Sequence, residues 1–193
     1  MLITLTRMGT VAAIVTASVA LAAQAPAGQQ PATNPNANIV VGNPTYTTIP
    51  LEIAVDRPAA EVWKRVGKWC DVSEWLQIAA GCKITSGKDG EVGAVRTVGS
   101  EVLVAKTEYS YTYTQTPRVG RPYNLYHGTL EVRPVSPTTS KILYTLLFDN
   151  SMLPDDAARE KDKATRTTVF NRALANMKTL AEGGTLPPPP SAR

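Results

Sequence analysis

Histidine and cysteine are scarce in this sequence of 193 residues, which contains one histidine, His127, and two cysteines, Cys70 and Cys82. These three side chains cannot supply the four ligands of a structural zinc site, so we predict no metal centre. A hydrolytic triad needs a histidine base beside a nucleophile, which leaves His127 as the single candidate. Residues 87–93, GKDGEVG, lack the strand-to-helix context of a phosphate-binding loop and are typical of a hairpin turn. We therefore expect no cofactor.

A concentrated basic surface is also missing. The formal net charge is +4, and the lysines and arginines are scattered along the chain. The longest basic-looking run, REKDKATR at 159–166, alternates in sign and is typical of a solvated helix face. Nucleic-acid binding needs a basic track for the phosphates, so we predict no nucleic-acid partner.

The N-terminus carries one cation, Arg7, followed by an uncharged run from Met8 to Ala23. A small-residue cleavage pattern ends this run and predicts a secretory signal peptide over residues 1–22. The run is short for a membrane span and rich in Ala, Ser and Thr, although an uncleaved anchor stays open as an alternative. We expect a periplasmic or secreted protein without stable membrane insertion after cleavage. The sequence does not indicate an oligomeric state.

Export would place Cys70 and Cys82 in an oxidising compartment. The two residues are 12 positions apart, so a bridge closes a short loop. An unstrained bridge of this kind stabilises a fold by about 3 kcal/mol. The alternative is a pair of buried thiols that never meet, and we favour the disulfide.

Composition divides the rest of the chain into one domain and two tails. Residues 23–45 are a leader dense in Ala, Pro, Asn and Gln, and residues 184–193 are a proline-rich end. Both are predicted to be unpacked. Residues 46–183 are long enough for one globular domain with its own core.

Hydrophobic periodicity predicts the elements of this domain. A first strand covers 46–56, and Pro58 opens a short helix whose apolar stripe includes Trp63 and Trp69. A second short helix follows, then six β-rich segments, then a long helix over 155–182. The fold class is therefore α+β. A curved antiparallel sheet of seven strands must enclose the terminal helix, because two short helices cannot cover its inner face.

One predicted turn places two polar residues together. Gly99 and Ser100 are typical of a two-residue hairpin loop. Such a loop would set Arg96 and Glu101 diagonally across one face of the hairpin.

Five stretches of the domain, in this order, resemble the START-like helix-grip superfamily, also called SRPBCC or Bet v 1-like. They are LEIAVDRPAAEVWKRVGKW (51–69), WLQIAAGCKITSG (75–87), VGAVRTV (92–98), YHGTLEVRPV (126–135) and SKILYTLLFD (140–149). Within the superfamily the resemblance is to the polyketide cyclase/dehydrase and lipid-transport group. Plant abscisic acid receptors are more distantly similar, but this chain lacks their long gate loop and has Leu76 at the position of their ligand-binding lysine.

The resemblance implies a deep apolar cavity between the sheet and the terminal helix, which takes a small hydrophobic ligand. Residues at positions that line the cavity in relatives, with Trp75 at its mouth, are the ligand-binding candidates. They are Trp75, Arg96, Glu101, Tyr111, Tyr113, Tyr126, Tyr144, Phe148, Val169 and Ala173. The same register turns His127 outward, which leaves a hydrolytic triad without a base.

Three functions are compatible with this pattern. In a carrier, the tyrosine rings hold a flat ligand, aromatic, polyketide or lipid, and their hydroxyls orient it. In a cofactor-independent cyclase or lyase, Glu101 acts as the base and Tyr126 as an acid or oxyanion donor. In a protein–protein module, the tyrosines fill the cavity themselves. Cross-strand packing alone also accounts for the alternating Tyr109, Tyr111 and Tyr113.

Overall fold

The computed structural model describes residues 43–189, except Pro117, Val119 and Pro122. The predicted signal peptide, most of the predicted leader and the last four residues lie outside the described residues. The elements in chain order are β1 (Tyr46–Val55), α1 (Ala59–Val66), α2 (Val72–Trp75), β2 (Ile84–Ser86), β3 (Val95–Arg96), β4 (Glu101–Lys106), β5 (Ser110–Gln115), β6 (Tyr126–Pro134), β7 (Ser140–Asp149) and α3 (Asp156–Ala181).

The seven strands form one sheet in the order β1-β7-β6-β5-β4-β3-β2. Every neighbouring pair is antiparallel. Helix α3 packs against β1 and β7, and α1 and α2 pack against α3. The predicted α+β helix-grip architecture is confirmed.

Local sequence sets the helix ends. Pro58 immediately precedes α1, and Glu61 in its first turn favours the positive end of the helix dipole. Helix α3 begins after Asp155, whose carboxylate accepts a hydrogen bond from the Ala158 N–H at 2.8 Å. The predicted start of the terminal helix is therefore correct.

Strand β6 alternates between the core and the outer face of the sheet. Tyr126, Gly128 and Leu130 are buried, and the residues between them are half-buried. A Cβ atom at Gly128 would lie 2.3 Å from the ring of Tyr113 on the neighbouring strand. The glycine therefore allows a close approach of this ring to the β6 backbone.

The turn between β3 and β4 differs from the prediction. It contains four residues, 97–100, and sets Arg96 directly opposite Glu101. The Thr97 N–H donates to the Lys83 carbonyl at 2.8 Å, and the Thr97 hydroxyl accepts from the Lys83 N–H at 3.0 Å. Gly99 and Ser100 do form the centre of a tight turn, with positive φ at both residues, which the Glu101 N–H closes on the Val98 carbonyl at 3.1 Å. The bonds of Thr97 to Lys83 take the chain out of the β3–β4 ladder after Arg96, so the diagonal placement of Arg96 and Glu101 is wrong.

Cys70 and Cys82 form a disulfide with their Cα atoms 5.4 Å apart. The bridge ties the segment before α2 to the segment before β2. In the described part of the chain, no helix combines the length and apolarity needed to cross a bilayer.

Candidate functional site

The residues predicted to line a cavity pack against one another. Nine of the ten expose between 0 and 4% of their surface, and Val169 is half-buried. A side chain that lines a wide internal cavity keeps accessible area, so the space on the inner side of the sheet around these nine is filled by protein atoms. The hydroxyl oxygens of Tyr113 and Tyr144 lie 2.9 Å apart in this interior. The expected open cavity is therefore not found around these described residues.

Trp75 lies deep in the core. It is 0% exposed, and its ring packs edge-on against Tyr144 with the centroids 6.0 Å apart. Its carbonyl accepts a hydrogen bond from Asn176 Nδ2 on α3 at 2.9 Å. The predicted position at a cavity mouth is wrong, because α2 packs directly against α3 here.

A buried ion pair joins β3 and β4. Arg96 Nε and Nη2 lie 2.6 and 2.5 Å from Glu101 Oε2. Arg96 Nη1 donates to the carbonyl of Trp69. The other oxygen of Glu101 accepts from Gln115 Nε2 at 2.9 Å, and the Gln115 side-chain carbonyl accepts from the Tyr123 hydroxyl. Both oxygens of the candidate base are thus occupied by protein donors.

Three aromatic rings surround this guanidinium, and we call Trp69, Tyr111 and Tyr113 the arginine cage. The guanidinium carbon lies 3.7 Å from the ring centre of Trp69, 5.2 Å from that of Tyr113 and 5.8 Å from that of Tyr111. These distances are in the range of cation–π interactions.

The ionisation of the pair reflects this environment. Burial raises the pKa of Glu101, while Arg96 and Gln115 oppose the shift. Burial lowers the pKa of Arg96, but the phenols and Glu101 outweigh it and the net shift is upward. The arginine stays protonated and remains bound to Glu101.

A second arginine, Arg166 on α3, covers the other end of the aromatic interior. Its guanidinium carbon lies 4.6 Å from the ring centre of Phe148 and 5.3 Å from that of Tyr126, and its Nε lies 2.8 Å from Asp162 Oδ2. Burial raises the pKa of Tyr126 to about 12, with Arg166 opposing. The phenol is therefore a weaker acid than free tyrosine.

An open groove lies on the surface between α1 and the β4–β5 turn, and we call it the α1 groove. Its volume is about 410 Å³, and Trp63, Trp69 and Tyr111 supply its aromatic lining. The Tyr111 ring lies 5.8 Å from that of Trp63 and 5.2 Å from that of Trp69. Lys64 and Lys68 line the α1 side. Since Trp69 and Tyr111 also belong to the arginine cage, the groove abuts the filled interior.

Sequence reasoning did not identify the tryptophans of this groove as site residues. It assigned both to the apolar stripe of one helix, but α1 ends at Val66 and Trp69 lies beyond it. A Cβ atom at Gly67 would lie 2.3 Å from the ring of Trp63, so this ring lies across the glycine. A glycine between two tryptophans is the sequence signal that could have indicated a shaped aromatic surface.

A second surface hollow of about 480 Å³ lies between residues 78–83 and the β3–β4 turn. No aromatic ring lines this hollow. Among the described residues, several buried side-chain polar atoms lack a hydrogen-bond partner, and none of these belongs to the residues that line it. It therefore offers fewer specific contacts than the α1 groove.

His127 lies on the outer face of the sheet, opposite Thr114 on β5 and Leu147 on β7. Burial lowers its pKa, and a backbone hydrogen bond with Tyr113 opposes the shift. The His127 side chain lies on the opposite face of the sheet from the inward-facing tyrosines, as its alternation with Tyr126 predicts.

An antiparallel sheet around a long helix, with an aromatic interior, defines a helix-grip protein of the hydrophobic-ligand-binding type. The chain belongs to the family described as polyketide cyclase/dehydrase and lipid transport, whose sequence profile matches residues 47–182. The resemblance drawn from the sequence is confirmed.

Solved structures share this fold. A protein from Thermobifida fusca is 25% identical with a TM-score of 0.56, and the match covers 72% of this chain and 97% of that one. The Zhui aromatase/cyclase from a Streptomyces species is 15% identical with a TM-score of 0.55, over 73% of this chain and 100% of that one. Truncated norcoclaurine synthase from Thalictrum flavum is 16% identical with a TM-score of 0.57, over 76% and 99%. None of the curated proteins matches the sequence.

Proposed function

We propose that the chain is an exported binding or carrier protein that holds a small hydrophobic molecule in the α1 groove without transforming it. The observation that carries this proposal is the open groove with Trp63, Trp69 and Tyr111 in its lining. The family is described as polyketide cyclase/dehydrase and lipid transport, and this description supports the proposal that the ligand is hydrophobic.

The dimensions of the groove suit such a ligand. Small-molecule sites commonly measure about 300–1,000 Å³, and the groove at about 410 Å³ falls in this range. The half-buried ring of Trp63 offers accessible aromatic surface to a planar molecule, and the rings of Trp69 and Tyr111, each residue 3% exposed, pack behind it.

The enzymatic alternative is a cofactor-independent cyclase or lyase that uses Glu101 and Tyr126. Both residues are 4% exposed, and the Glu101 carboxylate is occupied by Arg96 and Gln115. A substrate would have to break the buried ion pair before it met the base. These contacts favour binding over catalysis.

Export is supported by two independent features. The N-terminal pattern is typical of a signal peptide, and the Cys70–Cys82 disulfide is typical of an oxidising compartment. A periplasmic or secreted location follows from them as part of the proposal.

The test is a titration with N-phenyl-naphthylamine, a neutral probe whose fluorescence rises in apolar sites. We expect saturable binding that Trp63→Ala weakens severalfold. Tyr46→Ala is the matched control, since Tyr46 is 61% exposed and lies outside the groove. No saturable binding, or equal binding by both variants, would refute the proposal and favour the protein–protein module.

The same preparation separates a carrier from an enzyme. Ligands that co-purify with the protein are recovered and identified by mass spectrometry, and added ligand is recovered after incubation. A carrier returns the ligand unchanged. A product that disappears in Glu101→Gln would instead support the enzymatic alternative.

A further inference from the structure

We infer that Gly67 is a specificity-determining residue of the α1 groove. It lets the Trp63 indole lie flat against the main chain, and the groove therefore selects planar aromatic ligands over flexible acyl chains. This rests on the proposed function, because it narrows the class of hydrophobic molecule that the same groove takes. Three observations lead to it: the backbone at Gly67, the position of the Trp63 ring, and the surface that this ring leaves accessible.

The backbone at Gly67 does not require a glycine. Gly67 follows the last residue of α1 with a φ of −94° and a ψ of −2°, which is open to residues with side chains. Its N–H donates to the Trp63 carbonyl at 2.8 Å, as in a continuing helix. The usual reason for a glycine at a helix end is a left-handed φ, and it does not apply here. The role of Gly67 must therefore lie in the space where a side chain would stand.

The Trp63 ring takes that space, since side chains four residues apart meet on one face of a helix. A Cβ atom at Gly67 would lie 2.3 Å from the ring atom Cδ2 of Trp63, and 2.6 Å from both Cε2 and Cε3. Cε2 and Cε3 are bonded to Cδ2, and all three bonds of Cδ2 lie in the plane of the ring. An atom that is nearest to Cδ2 and equally far from these two neighbours stands over the face of the ring. The indole therefore lies flat on Gly67, which is buried beneath it.

This position decides which part of the indole a ligand can touch. Trp63 is half-buried and lines the groove. Because one face of the ring lies against the main chain, its accessible area is on the opposite face and the edges. The Tyr111 ring meets Trp63 at 56° with the centroids 5.8 Å apart, so it does not stack on that opposite face. The groove thus holds a flat aromatic surface in position before a ligand arrives.

Such a surface distinguishes ligands by shape. A planar aromatic molecule places a whole face against the indole and gains from ring pairing beyond the area it buries. It is also rigid, whereas an acyl chain must be ordered about many bonds. Trp69 and Tyr111, each 3% exposed, offer the chain little further aromatic surface. The groove therefore favours the planar molecule.

The test is competition against N-phenyl-naphthylamine by three neutral alcohols, on which the charges of Lys64 and Lys68 have little influence. Naphthalenemethanol is planar, decahydronaphthalenemethanol is its puckered saturated form, and undecanol is a chain with the same number of carbon atoms. Both saturated alcohols have at least as much apolar surface, so area alone predicts that they compete at least as well. We expect naphthalenemethanol to compete at concentrations at least about threefold lower than either, a factor within the range that ring pairing contributes.

Two variants connect this preference to the ring and to the glycine. Trp63→Leu keeps an apolar side chain without the flat ring, so it should weaken the binding of naphthalenemethanol severalfold and more than that of undecanol. Gly67→Ala puts a methyl group where the ring rests, so it should also weaken the binding of naphthalenemethanol severalfold. The same substitution in a Trp63→Ala background should change nothing, because no ring remains to be displaced.

Gly184→Ala is the matched control. Gly184 lies outside the groove, and a Cβ atom there would lie 2.8 Å from the Thr179 side chain. This variant should leave competition by all three alcohols unchanged. Thermal melts by circular dichroism verify that each variant is folded, and Trp63→Leu carries the test if Gly67→Ala does not fold.

Equal or stronger competition by either saturated alcohol would overturn the inference, while saturable binding of N-phenyl-naphthylamine would leave the proposed function standing. The role of Gly67 would be refuted if Gly67→Ala bound naphthalenemethanol as the wild type does. An equal loss with and without the Trp63 ring would refute it as well. If N-phenyl-naphthylamine does not bind, both the inference and the proposed function are wrong.

Discussion

Replacing Arg96 by methionine keeps a long side chain in the arginine cage but removes the charge opposite Glu101. Glu101 is 4% exposed, and Arg96 donates to it at 2.6 Å from Nε. The variant therefore leaves a buried carboxylate with Gln115 as its remaining neighbouring donor. Removing one partner of a buried pair costs about 3–5 kcal/mol, and we expect a loss of this size.

The double variant Arg96→Met/Glu101→Leu tests whether this loss comes from the unpaired charge. Apolar replacement of a whole buried pair is often neutral or stabilising by about 1–4 kcal/mol, so the double variant should recover most of the loss. Glu101→Leu alone should also destabilise, because it leaves the guanidinium unpaired.

Urea unfolding followed by circular dichroism measures these effects. Small proteins lose about 1–3 kcal/mol of stability per molar urea, so Arg96→Met should lower the midpoint by about 2 M. Single-variant losses below about 1 kcal/mol, the range of exposed ion pairs, would refute the reasoning. Strict additivity of the two single variants in the double variant would refute it too.

The loss should also depend on pH. Without Arg96, burial raises the pKa of Glu101 with Gln115 as the remaining opposing donor, so the folded state binds a proton more tightly than the unfolded state. The stability of the variant is then lost as the pH rises through this folded-state pKa. It is regained as the pH falls towards the ordinary glutamate pKa of about 4.3. A deficit that stays constant over this window would contradict the assignment.

Three further predictions follow from single features. Reduction of the Cys70–Cys82 bridge should lower the free energy of unfolding by about 3 kcal/mol. The Cys70→Ser/Cys82→Ser variant should show the same loss and no response to reductant, and equal melting of both redox forms would count against this. Gly128→Ala should lower the free energy of unfolding by about 1–3 kcal/mol in urea, because the new Cβ atom would lie 2.3 Å from the Tyr113 ring. A variant as stable as the wild type would show that the ring moves aside without cost. NMR titration of His127 should give a pKa below about 6.5, because burial disfavours the imidazolium. The free energy of unfolding should then fall as the pH drops from about 6.5 through that pKa. A pKa of about 6.5 or above would contradict the burial of the ring.

Patterns of residues close together in the sequence predicted much of the fold. Asp155 caps α3 as expected, because an N-cap needs only its own backbone neighbours. The alternation through Tyr126 and Leu130 also held, because a strand turns successive side chains to opposite faces whatever it packs against.

Local sequence patterns could not predict features that depend on contacts between residues far apart in the chain. Strand β3 ends at Arg96 because Thr97 bonds to Lys83, which no local pattern of the hairpin reveals. Alternation also gives only the direction of a side chain. Whether Tyr113 and Tyr144 line a cavity or fill it depends on how volumes from several elements meet, and here their hydroxyls touch.

The arginine cage has a consequence for protein engineering. Arg96→Ala would leave a compartment bordered by the faces of Trp69, Tyr111 and Tyr113, with the Glu101 carboxylate at one side. Those groups match a free guanidinium ion as well as a tethered one. Dilute methylguanidinium would then bind the folded form selectively and raise its melting temperature by mass action. The Arg96→Ala variant would then act as a receptor for this small cation. Its melting temperature would report the concentration of the cation.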